Sequence, residues 1–216
     1  MKIKFILFTM AFFSFFACSK NNNFTESETV ILNKTNFSKD IAAELKGESK
    51  NSIFQLPAID PEKSEIINDK TFDGIYSKTT KEKAENIVRN LKENFKKKGY
   101  LVFYSENEKD YIICVIKGND ELDILKYRRT NAINYDLESK DLIKKIKEWQ
   151  GKYGLNIIGC DFDYIHIDFE KLPENIDEFA KEVYAFCPDS VDQGVGSIES
   201  LKEYILQEQG VWLWWD

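Results

Sequence analysis

Residues 79–117 read TTKEKAENIVRNLKENFKKKGYLVFYSENEKDYIICVIK, and this stretch decides the fold class. Thr79 followed by Glu82 has the form of a capping box, and Ala84, Ile87, Val88, Leu91 and Phe95 then recur at the spacing of one helix face until Gly99 stops the run. Tyr100 to Tyr104 and Tyr111 to Lys117 are rich in β-branched and aromatic residues around the polar Glu106-Asn107-Glu108-Lys109-Asp110, the pattern of a hairpin with a longer loop. The same order returns from Ser139 to Phe169. Ser139 is expected to cap a helix with Leu142, Ile146, Trp149 and Tyr153 along one face, Gly154 ends it, and Leu155 to Asp161 and Asp163 to Phe169 follow as strands. In the second of these Ile165, Ile167 and Phe169 alternate with Tyr164, His166 and Asp168, as in a sheet with one face buried. The side chains of the two halves match poorly, so the repetition is read as a common supersecondary choice.

Outward from this pair, Glu121 to Arg128 reads as a short helix, and Asn175 with Glu178 opens another that carries Ile176, Phe179, Ala180 and Val183 and is interrupted at Pro188. Ser197 caps a last helix bearing Ile198, Leu201 and Ile205, which stops at Gly210 before the terminal strand Val211 to Asp216. Strands packed under helices without strict β-α-β alternation imply an α+β, two-layer fold, with helices on a largely antiparallel or mixed sheet, in one compact domain over residues 52–216.

The first residues carry a different message. Lys2 and Lys4 precede the apolar run Phe5 to Phe16, which is too short to span a bilayer core of about 30 Å as a helix that stays, and Ala17-Cys18-Ser19 follows. Residues 1–17 are therefore read as a lipoprotein signal peptide, with Cys18 lipidated as the mature N-terminus, although Phe15 and Phe16 depart from the usual lipobox. Residues 18–51 are read as a polar tether with one short helix through Phe37, Ile41, Ala42 and Leu45. This expectation places the protein outside the cytoplasm, lipid-anchored to a bacterial cell membrane at the periplasmic face or outer membrane.

The full chain holds 30 Lys and Arg against 37 Asp and Glu, a net of −7, and losing Lys2 and Lys4 with the leader makes the mature chain more acidic still. That balance disfavours nucleic acid, whose phosphates are held by clustered cations. Lys96-Lys97-Lys98 ends a helix, where positive charge complements the dipole.

The run Phe186-Cys187-Pro188-Asp189-Ser190-Val191-Asp192-Gln193-Gly194-Val195-Gly196-Ser197 and the ending Leu213-Trp214-Trp215-Asp216 resemble the bacterial family catalogued as domain of unknown function 4253. Asp123-Ile124-Leu125-Lys126, Thr130-Asn131-Ala132-Ile133-Asn134-Tyr135 and Lys147-Glu148-Trp149 resemble the same family in the same order. The resemblance is best from Gly99 to Asp216, weaker back to Ser52 and absent from the tether. Ala132 stands where a glycine is expected, which bears on a tight turn there. The resemblance implies no catalytic residue.

The chemistry is therefore weighed residue by residue. Cys187 ends a helix, where the dipole raises a thiol pKa, and the lone histidine, His166, lies on another element, so a Cys/His pair lacks support. Of Cys114, Cys160 and Cys187 one must stay unpaired; Cys160 with Cys187 as a disulfide and three buried thiols are equally plausible. No metal motif is present, and Asp161, Asp163, Asp189, Asp192 and Asp216 lack calcium-loop spacing, so neither a metal nor a cofactor is expected.

Gly194-Val195-Gly196-Ser197 before a helix resembles an anion-binding geometry, with Asp189, Asp192 and Gln193 beside it, and is explained as well by a structural loop with a Ser197 cap. Trp212 and Trp214 share one strand face and Leu213 and Trp215 the other, so an exposed Trp214 beside Asp216 would suit a sugar or a protein partner. Two function classes follow. The first is a membrane-tethered protein-recognition module, of immunity or inhibitor type, with a protein partner at the envelope. The second is an envelope hydrolase or anion- or sugar-binding protein built on Asp189, Asp192 and the Gly194 to Ser197 loop, with Asp189 and Asp192 as acid and base. The binding class is preferred, because nothing in the residues forces catalysis.

Overall fold

The computed structural model describes residues 24–107 and 110–216; the expected signal peptide and lipidation site at Cys18 lie outside the described residues. A seven-stranded sheet runs through the domain in the order β1 (Ile53–Ile59), β2 (Ile66–Thr79), β4 (Asp110–Lys117), β3 (Tyr100–Asn107), β5 (Leu155–Cys160), β6 (Tyr164–Phe169), β7 (Gly210–Trp214). All pairs are antiparallel except β3 with β5, which is parallel. The α+β class and the mixed, mostly antiparallel sheet agree with the sequence reading.

The layering differs from that reading. Leu101 and Phe103 enter one core with α4 (Leu122–Arg128), α5 (Ser139–Tyr153), α6 (Ile176–Phe186) and α7 (Ile198–Glu208). Val102 and Tyr104 enter another, on the opposite face, with α1 (Glu26–Lys34), α2 (Lys39–Ser49) and α3 (Lys81–Lys97). The expected two layers are thus corrected to three, because the helices bury both faces of the sheet. The unbroken run Ile112-Ile113-Cys114-Val115-Ile116 is buried throughout, as a strand covered on both sides must be.

The tether expected over 18–51 is also corrected for its described part. Thr25 and Glu28 form a capping box at α1, and the buried Glu28 carboxylate accepts the amide of Ile53 at 2.9 Å and the Lys46 ammonium at 2.6 Å, fastening both helices to the edge strand. Leu32, Phe37, Ile41, Ala42 and Leu45 are core residues. Four apolar side chains at helical spacing, in a stretch otherwise polar, were enough to make a packed layer. At α3 the cap is Thr80, without a side-chain bond, and Thr79 belongs to β2, so no capping box forms there. At α5 the capping box is made by Glu138 and Asp141 rather than by Ser139.

Sequence reading missed β1 and β2. Asp60 closes their turn, its carboxylate accepting the amides of Glu62 and Lys63 at 2.8 and 3.1 Å. β2 meets β4 only from Gly74 to Thr79, so its first half and the end of β1 project beyond the sheet as an arm. Tyr127 donates to the carbonyl of Pro57 at 3.0 Å and Ser64 to that of Arg129 at 3.0 Å, mooring the arm to α4 and the loop after it.

The β3/β5 seam pairs at one register, Tyr104 with Gly159, and side chains complete it. At one end the Lys92 ammonium donates to the carbonyls of Val102 at 3.3 Å and Ile157 at 2.7 Å and to Glu121 at 2.9 Å, while Glu121 accepts the Ile157 amide at 2.9 Å. At the other, Asp161 accepts Ser105 Oγ at 2.7 Å, the Glu106 amide at 2.9 Å, the Phe162 amide at 2.8 Å and the Arg128 guanidinium. In the middle, the Tyr104 ring lies across Gly159, where any Cβ would collide with it, and Tyr104 Oη meets His166 Nδ1 at 2.9 Å.

Candidate functional site

The structure brings together two of the five sequence blocks that carry the family resemblance, 186–197 and 213–216, and joins them through hydrogen bonds. Residues Ser190–Val195 form a π-helical turn after Pro188. Asp189 accepts the backbone amide of Asp216 at 2.9 Å and the Gln193 side chain at 2.9 Å, and Tyr135 donates to the same carboxylate. Ser190 Oγ donates to the carbonyl of Trp212 at 2.9 Å, and Cys187 Sγ receives the Trp214 amide at 3.2 Å. This constellation is a clasp that holds the C-terminal strand against the α6–α7 connection.

The clasp uses the groups that the hydrolase and anion readings require. Burial acts to raise the Asp189 pKa, but the Asp216 amide, Tyr135 and Gln193 outweigh it and hold the carboxyl below its ordinary range, so it is an engaged carboxylate rather than an acid. Asp192 is exposed and takes the Tyr184 hydroxyl at 3.2 Å, apart from the contacts of Asp189. The amides of Val191 and Asp192 donate to Pro188, Gly196 donates to Val191 and adopts φ +84°, and Ser197 caps α7 by accepting the Ser200 amide. The glycine-rich loop is therefore a closed turn with a cap. Trp214 is half-buried and Asp216 exposed.

The remaining sequence candidates fall elsewhere. All three described cysteines are free and buried, so Cys160 and Cys187 do not pair; Cys160 lies against Thr130 Oγ1 at 3.1 Å while Cys187 serves the clasp. Burial pushes the Cys160 thiol up to about 12 and raises that of Cys187 as well, which leaves both as inert thiols. His166 is held by Tyr104, away from Cys187. Asp161 belongs to the seam, and no cluster of three or more metal-ligating side chains occurs among the described residues. Trp215 enters the main core and donates its indole N–H to Phe186 O at 3.2 Å, whereas Trp212 and Trp214 pack at the edge of the other core.

A second open feature was not legible in the sequence. Two adjoining recesses of about 580 and 670 Å³ share Ile66 and Phe162 and form a groove between the β1–β2 arm and the loop 131–134. Phe162, over whose ring Arg128 sits at 4.4 Å, and Trp215 supply apolar lining. Ile66 and Ile133 stand on its two walls, 47% and 70% exposed, unusual for large aliphatic side chains. Lys63, Lys70, Glu106 and Asp163 add charges of both signs. Ile66 belongs to the unforeseen arm, and Ile133 lies in a 3₁₀ turn whose exposure depends on how that arm stands off.

Fold and site define a three-layer α+β domain with a clasped C-terminal strand and an open, partly apolar groove. Residues 112–216 match the family model described as Domain of unknown function (DUF4253), the family the sequence blocks resemble. No curated protein and no solved structure matches the chain. The matched span supplies β4 to the middle of the N-terminal half of the sheet, so it is not a separable unit. None of the described helices is long and apolar enough to cross a membrane.

Proposed function

We propose that this protein is a lipid-anchored envelope recognition module, without catalytic activity of its own, that holds a segment of a partner protein in the groove between the β1–β2 arm and the loop 131–134. The observation that carries the reading is the pair Ile66 and Ile133, both exposed and both lining one recess together with Phe162 and Trp215. Apolar side chains around an aromatic recess with a charged rim are the composition of a binding surface. The acidic chain favours a partner segment with apolar anchors and basic flanks. A membrane tether through Cys18 would keep the domain at the envelope surface, where an immunity- or inhibitor-type protein meets its target.

The test is affinity capture from native envelope and secreted fractions with the chain from Ser19 onward, comparing wild type with Ile133→Asp. Retention of one protein in near-stoichiometric amount, lost in a variant that unfolds at an unchanged temperature, supports the reading. Failure of the well-folded wild type to retain any protein overturns it for those fractions.

A further inference from the structure

A second, smaller recess lies between the π-helical turn, α7 and β7, apart from the groove. We propose that it binds a small quaternary ammonium cation of the choline class. The recess measures about 250 Å³, and its lining includes Tyr204, Trp212 and Trp214 together with Asp189, Ser190, Gly194, Val195 and Leu201. That is smaller than the roughly 300–1,000 Å³ of pockets for drug-sized ligands and calls for a compact guest.

The hydrogen-bonding state of the wall selects the chemistry. Asp189 carries a negative charge, yet its oxygens already accept the Asp216 amide, Gln193 and Tyr135. Ser190 Oγ is committed to the Trp212 carbonyl, and the Trp214 side chain is bonded to Asp163. The wall thus combines a carboxylate that already holds three donors with three aromatic residues. A primary ammonium or a guanidinium entering there would find fewer open acceptor sites than it has N–H donors, since three donors already occupy the Asp189 carboxylate. A quaternary ammonium has no N–H to satisfy and is attracted by the π faces of Trp and Tyr and by a nearby carboxylate. An anion, the guest expected from the glycine loop, would face the Asp189 charge without free amides from Val191, Asp192 or Gly196. The cage is also pre-organised, because Tyr164 and His166 both stack on Trp212 with ring centroids 5.4 Å apart, fixing the indole before any ligand arrives.

The experiment titrates choline chloride into the unlipidated chain from Ser19 onward at constant ionic strength, following tryptophan fluorescence and heat. The uncharged isostere 3,3-dimethylbutan-1-ol serves as the comparison. Saturable choline binding at least tenfold tighter than that of the alcohol is expected. Tyr204→Ala should weaken choline by tenfold or more. Asp189→Asn should abolish the preference for the charged guest, and if that variant fails to unfold cooperatively, Tyr204→Ala carries the test alone. Equal affinity for choline and alcohol, or choline binding untouched by Tyr204→Ala, overturns the proposal. Phosphatidylcholine vesicles separate a free cation from a lipid headgroup: protein retained on them and released by free choline places the same cation on a lipid, whereas retention that choline does not compete counts against the cage.

Discussion

The two ends of the β3/β5 seam solve one problem with opposite chemistry, while the middle of the seam uses no charge. At the α3 end the cation does the bridging: Lys92 reaches a carbonyl on each strand, and Glu121 neutralises it. At the groove end the anion does the bridging: Asp161 accepts from β3 and from its own turn, and Arg128 neutralises it, with the guanidinium Nε left without a partner. Between them the seam passes through a neutral bond from Tyr104 to His166 over Gly159. A buried ion pair that merely balances charge is replaceable, whereas one whose member also satisfies strand backbone is not. The bridging member at each end should therefore be the sensitive one.

The largest effect should come from Lys92→Met. It takes the nearest cation from the Glu121 carboxylate, 1% exposed, which keeps the Ile157 amide at 2.9 Å and Lys96 at 3.4 Å, and it removes the ammonium donor from the carbonyls of Val102 and Ile157, so it should cost about 3–5 kcal/mol in urea unfolding. Burial pulls the Lys92 ammonium below its ordinary range and Glu121 opposes that pull. A cost under about 1 kcal/mol would mean that the ammonium is incidental to the seam.

The neutral middle gives a pH-dependent effect. Burial pulls His166 down to about 4, against an ordinary 6.5. Between these values the unfolded chain binds a proton that the folded chain does not, so stability rises with pH across the window and falls as pH drops through it. At about 1.4 kcal/mol per unit the loss reaches roughly 3 kcal/mol by pH 4. It should be absent from His166→Gln, when unfolding free energy is measured from pH 7.5 to 4.5. The Glu28 carboxyl adds a separate acid loss. Burial works to raise its pKa, but Lys46 and the Ile53 and Thr25 amides hold it below its ordinary range, so its contribution is present above the unfolded value and disappears as pH falls through the folded one. A slope identical in wild type and His166→Gln would remove the neutral bond from the comparison.

The smallest of the three should be Arg128→Met. Asp161 keeps the Ser105 hydroxyl and the amides of Glu106 and Phe162, so about 1–2 kcal/mol is expected. A cost equal to that of Lys92→Met would show that the two ends do not differ in which member bridges.

Much of the fold was legible because it follows local periodicity. Ala84, Ile87, Val88, Leu91 and Phe95 allow one helical solution, and Ile165, Ile167 and Phe169 one strand face. Even the third layer had a visible signal, the unbroken apolar run of β4, since a strand with one wet face would alternate. β1 and β2 had none. Asn68-Asp69-Lys70 is poor strand material by composition and forms an irregularity between the pairs Pro57 with Thr71 and Ala58 with Ile67, Asp69 adopting φ +64°, so the strand is held by pairing to β1 on either side of it, a non-local cause. The candidate site was the least legible part. Asp189, Ser190 and Cys187 were recognisable as a block, but that they meet the chain terminus depends on residues 27 and 22 positions apart becoming neighbours.

By itself the sequence determined the helix faces, most strands, the α+β class and the inertness of Cys187 at a helix end, all of which depend on residues within a turn or two of one another. Only the tertiary structure decided that Phe37, Ile41 and Leu45 are core rather than tether, that Asp189 is a clasp rather than an acid, and that Ile66 and Ile133 line one recess. The division has a physical origin. Periodicity encodes which side of an element is buried, whereas the partner of a buried polar group and the wall of a cavity are set by elements distant in the chain, whose approach no local pattern records.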